Sequence, residues 1–449
     1  MLNLKPFKND TLLKLTKTSF YSFPISLIIG SLVVNLNIII FIILGISFCI
    51  FNKIKFKFHS TNISLLLFFL IITLSSYINL DEIGNEKFIK SILLIKFFLL
   101  YIVLENLSKN INFEVKYFFY ICFFSIIFLS ADLSLQYFYG KNILGLVPHE
   151  GRIASIFGSE AIAGAYLQKV FIFSLIGLIF FLNLKNKKDS LFLTFALTLI
   201  IFGSFIASNR ISFFILITLI LFLILFFKIV RKNLIYAVLL ALPIFYTLYN
   251  NDNSIKIRYN GFTQKTYNLF IGLKSNYFHK KDKNVLLEKS FNIENNNLNP
   301  SKPSFIFTSH GKIFLTAYES FKTQKLLGNG YKSFRIKCSN FTKLNKKYLC
   351  STHPHNYHLE VLHDTGLIGF ITLTFFVFSL LYISIKGLLK FNTNYGNKII
   401  ISLLIINLLI EIFPLKSTGS LFTTWNGTLV WLTVALINYK NHEINNKNI

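Results

Sequence analysis

Three histidines fall within six residues, at His353, His355 and His358, in the run CSTHPHNYH that starts at Cys350. An imidazole changes charge near neutral pH, so it can take up or release a proton during a reaction. His355 follows Pro354 and precedes Asn356, a residue type that caps helix starts. Leu359 and Leu362 lie one and two turns further on and give such a helix one apolar face. The amide dipoles at a helix start disfavour imidazolium, which makes His355 the candidate proton acceptor. The plain alternative is a solvated loop histidine.

Arg152 and Arg210 are the second clue. A guanidinium holds its charge and grips phosphate oxygens with two parallel hydrogen bonds. Arg210 sits in the short turn Ser208-Asn209-Arg210 between two apolar runs, and Arg152 in the turn Pro148-His149-Glu150-Gly151-Arg152. A lone arginine at such a place usually snorkels to the membrane surface. Two of them on one face suit a lipid-linked diphosphate. Arg258 and Arg335, on a long hydrophilic segment, are weaker candidates that read more simply as solvated charges.

The elements that must position these groups are apolar helices. Of the 449 residues 53% are hydrophobic and 14% charged, which is no composition for a soluble chain. Apolar runs recur at lengths that cross a bilayer, and about twelve spans are expected. About nine precede residue 249, a hydrophilic segment follows at 250–366, and about three close the chain at 367–449. The run from Phe20 to Phe51 is too long for one span, and Asn35-Leu36-Asn37 in its middle predicts a helical hairpin there. The first residues have no apolar core closed by a small-residue cleavage site, so no cleavable signal is expected.

Lysines order these spans. The turns at Lys53–Lys57, Lys185–Lys188, Lys228–Lys232 and Lys386–Lys398, with both termini, alternate with turns poor in lysine. Short basic loops mark the cytoplasmic face. Both termini are then cytoplasmic, while the Arg152 loop, the Arg210 turn and the 250–366 segment lie outside, in the periplasm of a bacterial cell. A formal charge of +27 is explained by these turns, and no nucleic-acid-binding motif accompanies it. Cys338 and Cys350 share the outer segment, where a disulfide can form and brace the histidine run. A zinc site built from them with His353 and His355 fits no standard spacing. Cys49 and Cys122 lie in apolar spans and read as buried small residues.

The run from His353 to Glu360, followed by Leu362, Asp364, Gly366 and Gly369, resembles the signature of the O-antigen ligase and O-antigen polymerase superfamily. So do Ile313–Tyr318 with Leu327–Tyr331 and Phe334, an amphipathic helix before a Gly-x-Gly turn. Arg152 before Phe157 and Gly158, and Arg210 after Ser208-Asn209, are similar to the two periplasmic arginines of that family. One departure stands out. Where the family often has a third arginine, this chain has His310, with Lys312 close by.

The resemblance implies an all-α integral membrane protein of GT-C-like type, a multi-pass enzyme of the bacterial inner membrane. The donor would be an undecaprenyl-diphosphate-linked glycan, and the acceptor a sugar hydroxyl on lipid A–core. The polymerase alternative uses a second lipid-linked repeat unit as acceptor. His355 would be the general base, with Asn356 or Glu360 orienting it. Arg152 and Arg210 would stabilise the leaving diphosphate. His310, Lys312 and Arg335 are further substrate-binding candidates. No metal or other cofactor is called for. A transporter of the same lipid is the reading from a different class. Against it stand the lack of an internal repeat and of charges deep within paired spans, Glu411 being the main exception.

Overall fold

The computed structural model describes residues 6–446 apart from 57, 112, 150, 208, 262, 265–266, 268–307 and 390–394. Glu150, Ser208 and the middle of the long hydrophilic segment therefore lie outside the described residues. The described chain is all-α and is a multi-pass membrane protein. Seven of its helices are long and apolar enough to cross a bilayer. They are α3 (Ser31–Phe51), α4 (Ser60–Ile78), α8 (Lys116–Tyr139), α9 (Ala163–Phe181), α10 (Lys187–Ile206), α12 (Lys228–Asn251) and α15 (Tyr357–Leu389). Further helices pack among them: α1 (Pro6–Tyr21), α2 (Phe23–Ile29), α5 (Leu80–Ile83), α6 (Asn85–Ile92), α7 (Ile95–Asn110), α11 (Arg210–Phe226), α16 (Tyr395–Glu411) and α17 (Thr424–Asn446). Two amphipathic helices, α13 (Ser309–Phe321) and α14 (Phe334–Leu344), belong to the hydrophilic segment.

The turn expected at Asn35–Asn37 lies elsewhere. The chain reverses at Gly30, whose φ of 138° is open only to a residue without a Cβ, and α3 runs unbroken through both asparagines. Asn37 stays helical because its buried Oδ1 accepts from Ser19 Oγ (2.9 Å) and Ser22 Oγ (3.2 Å) across the hairpin. The polar side chain marks a contact between helices, not a loop.

The feature that positions the site is a break in α15. Gly366 has φ 64° and ψ −166°, backbone reserved for glycine, and it interrupts the helical hydrogen bonds. The turn between α13 and α14 replaces them. Asn329 N donates to His363 O (2.9 Å) and Gly330 N to Asp364 O (3.0 Å), while Leu367 N and Ile368 N donate to Lys325 O and Leu326 O (2.8 and 3.1 Å). Ser75 Oγ of α4 adds a bond to Asp364 O (2.8 Å), which ties the break to the bundle. Beneath it His363 is fully buried, with Nδ1 2.7 Å from Asp364 Oδ1 and Nε2 2.9 Å from Ser320 Oγ. Ser320, His363 and Asp364 share the residue types of a hydrolytic triad, but no substrate reaches a group with zero exposure. They act as a brace that holds α13 on α15.

A Cβ on Gly366 would sit 2.2 Å from Leu326 O. Gly366→Ala is therefore expected to cost about 3 kcal/mol or more, the cost of a strained backbone plus the clash. Thermal unfolding of the purified protein measures it, and an unchanged midpoint would refute the interlock.

Candidate functional site

The histidine cluster stands at the N-terminal end of α15. Asn356 caps that helix, its Oδ1 accepting from Leu359 N (3.1 Å). Its Nδ2 reaches across to Pro414 O and Lys416 O, fastening the 412–423 loop. The loop returns a bond from Thr418 N to His355 O (2.8 Å). Cys338 and Cys350 form a disulfide that ties α14 to the strand of chain entering the cluster. His355 is thereby held at φ 56°, a left-handed conformation that a non-glycine residue rarely adopts. Strain of this kind collects where a side chain must point in one direction.

Three rings meet there. The His355 ring lies 4.1 Å from that of His353 and 5.3 Å from that of His310, centroid to centroid. Burial pushes the proton affinity of all three down, His353 to about 4, and the neighbouring His310 pushes His355 further. The cluster is neutral at pH 7. Among the described residues, no group of three His, Cys, Asp or Glu is arranged to hold a metal ion.

Ser351 pairs with the His355 ring, its Oγ 3.0 Å from Nε2. Asn356 and Glu360, the expected orienting groups, are committed elsewhere. Asn356 binds the loop carbonyls, and Glu360, 2% exposed, accepts from Leu421 N (2.7 Å). Lys312 also faces away, donating to Lys346 O (3.3 Å). Of His310 and Lys312, His310 is the one beside His355. Arg335 is exposed on the first turn of α14, close enough to lower the proton affinity of His353 by its charge.

The arginines form a second cluster. The buried C-terminal turns of α8 fix the Arg152 loop: Gln136 Oε1 accepts from Ala154 N (3.1 Å) and Ser155 N (2.7 Å), and Asp132 binds Ser155 Oγ. Asn209 caps α11, its Oδ1 accepting from Ser212 N (3.2 Å), which sets Arg210 on the first turn. Arg258 joins them from the helical stretch 253–261. Arg210 Nη1 donates to Arg258 O (2.7 Å), and the Arg258 guanidinium reaches Ile206 O and Gly151 O, each at 3.4 Å. Burial lowers the proton affinity of Arg258, and the charges of Arg210 and Arg152 add to the effect. It is half-buried beside two other guanidinium groups, not a solvated charge.

A third group was absent from the residue motifs. Lys169, in the apolar run of α9, pairs with Glu411, which also takes Lys416 Nζ at 2.8 Å. All three are at most 7% exposed, and Lys169 Nζ is 3.5 Å from the Tyr357 hydroxyl. Burial holds the Lys416 ammonium down at about 8. Lys169 is a charge within a paired span, so one of the two grounds against a transporter does not hold. It could have been read as an intramembrane lysine in need of a partner.

The histidine and arginine clusters do not touch. Helix α9 connects them: Gly164 packs against Asn209, where a Cβ would lie 3.1 Å from the Asn209 Cβ, and Lys169 meets Tyr357. Five residues separate these contacts, roughly 7.5 Å of helix rise. Both clusters thus stand near the N-terminal end of one helix. No protein-family model and no curated protein matches this chain, so the family resemblance rests on these residues alone.

Proposed function

We propose that this protein is an O-antigen ligase-type membrane glycosyltransferase. It would move a glycan from undecaprenyl diphosphate to a sugar hydroxyl on lipid A–core at the periplasmic face of the bacterial inner membrane. The observation that carries the reading is the neutral, strained His355 at the same end of α9 as three guanidinium groups. Counting α7, α11, α16 and α17 as crossings beside the seven long helices, with α1–α2 taken as one and α5 and α6 left out, gives nine before residue 252 and three from α15 onward. Both termini then fall in the cytoplasm and both clusters outside.

In this reading the acceptor oxygen attacks the anomeric carbon as its bond to the diphosphate oxygen breaks. The electron pair leaves on the diphosphate and the proton passes to His355. A single in-line displacement inverts the anomeric centre. The His355 ring, held with Nε2 3.0 Å from Ser351 Oγ, would take that proton in its neutral form. Arg152, Arg210 and Arg258 would stabilise the charge that grows on the leaving group.

The test is transfer from purified lipid-diphosphate glycan to purified lipid A–core, with no energy source. Product formation supports the transferase, and its absence under conditions that retain fold removes it. Loss of glycan attachment in a deletion strain marks the ligase, and loss only of long chains marks the polymerase. Arg210→Lys is expected to lower the rate about tenfold or more, because an ammonium cannot reproduce the two-pronged contact. A wild-type rate in that variant would remove Arg210 from the diphosphate site.

A further inference from the structure

The apolar side of α8 does not stop where the helix ends. Tyr117, Phe124, Phe128, Leu135 and Phe138 recur every three, four or seven residues and are all exposed, which makes one lipid-facing stripe. Beyond Gly140 the stripe continues on non-helical backbone. Ile143, Leu144 and Val147 are exposed there, Leu144 at 67%. Tyr139 and Lys141, both exposed, stand at the base, the residue types that favour the boundary between lipid and water.

This turn satisfies its own backbone. Four consecutive amides donate within the protein: Ile143 N to Asp132 Oδ1 (2.8 Å), Leu144 N and Leu146 N to Asn142 Oδ1 (3.0 and 2.8 Å), and Gly145 N to Asn142 O (2.9 Å). Leu146 O accepts from Asn142 N (3.0 Å) and Gln136 Nε2 (3.1 Å). A turn whose polar groups are already paired loses little on leaving water.

The side chains that hold this turn also hold the arginine loop. Asp132 takes Ile143 N with one oxygen and Ser155 Oγ with the other. Gln136 donates to Leu146 O, and its Oε1 takes the amides of Ala154 and Ser155. Both side chains are buried. Tyr137, beside them, donates to Asp252 Oδ2 (2.9 Å), next to the stretch that carries Arg258.

We propose that residues 138–147 are a wedge that lies in the membrane interface, and that Asp132 and Gln136 pass its depth on to Arg152. The arginine is thereby kept level with lipid phosphates. Continuity with the stripe on α8 and the paired amides point to lipid as the occupant, not to a second copy of this chain. The purpose of the wedge deepens the transferase reading and rests on it. Its insertion does not.

Insertion is tested with single copies of the full-length protein in lipid nanodiscs, carrying a nitrobenzoxadiazole dye on Leu144→Cys. Cys49 and Cys122 are buried and Cys338 and Cys350 are paired, so the dye goes to the new thiol. A nitroxide near the top of the acyl chain should quench it several-fold more than iodide in the water. Stronger quenching by iodide would place the turn in water. Shielding that appears only when two copies share a disc would make it a contact between chains. Either result overturns the wedge.

Leu144→Gln combined with Val147→Gln tests the coupling, because a carboxylate there would itself repel a diphosphate. In nanodiscs the KM for a long-chain lipid-diphosphate glycan should rise about tenfold with kcat little changed. With a water-soluble short-chain donor the variant should match the wild type, since membrane depth no longer matters. An equal defect with both donors, or none with either, would refute the coupling. Leu144→Gln alone serves if the pair prevents folding. A lipid-quenched dye on a protein that transfers nothing would remove the transferase reading and leave the wedge standing. Transfer by a protein whose dye sits in water would do the reverse.

Discussion

Replacing His355 with asparagine is expected to lower glycan transfer by about 10²-fold or more while the protein remains folded. Asparagine is the right substitute because it tolerates positive φ better than other non-glycine residues, so the φ of 56° at this position is preserved. The amide cannot accept a proton, and only the chemistry is removed. The pH profile separates a base from a structural group. Burial, and on the acid side the neighbouring His310, hold the His355 proton affinity below the ordinary value of 6.5. The neutral ring is the competent form, so the wild-type rate should be flat across neutral pH and fall only on the acid side, below 6.5. His310→Arg places a permanent cation about 5 Å away and should move that acid limb to still lower pH. A wild-type rate in His355→Asn, or an acid limb indifferent to His310→Arg, would strip His355 of the role.

Glu411→Ala is expected to have the largest effect on stability, about 3–5 kcal/mol, because it strands two buried ammonium groups. Lys169 and Lys416 have no other carboxylate within ion-pair distance among the described residues. The loss should appear as a lower unfolding temperature in detergent and a lower yield from membranes. Removing the charges together changes the sign of the argument. A Glu411→Leu, Lys169→Met, Lys416→Met protein should recover much of the stability, since apolar groups of similar volume replace a buried ionic group at little cost. If the single variant melts with the wild type, the group is hydrated and the burial described here is wrong. The triple variant also separates folding from function. Restored stability with lost glycan transfer would give the group a role beyond folding.

The positions of sequence-derived expectations and structure differ for physical reasons that particular residues make plain. Apolar runs were legible as helices because a bilayer-crossing segment must satisfy its backbone internally. Asn356 was legible as a cap, because asparagine has few other uses at a helix start; Gly328-Asn329-Gly330 was expected as a turn only through the resemblance, and the break at Gly366 was not expected. The hairpin was misplaced because an asparagine in an apolar run looks like a turn until its partners, Ser19 and Ser22, are in view. Arg258 looked solvated because it lies in a hydrophilic stretch, while its guanidinium is folded back onto the carbonyls of Ile206 and Gly151. Ser351 carried no signal, since one serine in a polar run is unremarkable until it stands 3.0 Å from an imidazole.

By itself the sequence determined that this is a multi-pass helical membrane protein with a polar histidine segment between apolar runs. Hydrophobicity and residue type are local properties, and they survive in one dimension. Only the tertiary structure decided which charges share a site: Arg258 with Arg210, His310 with His355, Lys169 with Glu411 and Lys416. Those pairs are separated by 48 to 242 residues along the chain, except for His310–His355 and Glu411–Lys416, which are nearer. Nothing in a linear pattern encodes such distances. They are set by how helices pack, where a glycine breaks one of them, and which carbonyls the break leaves to be filled.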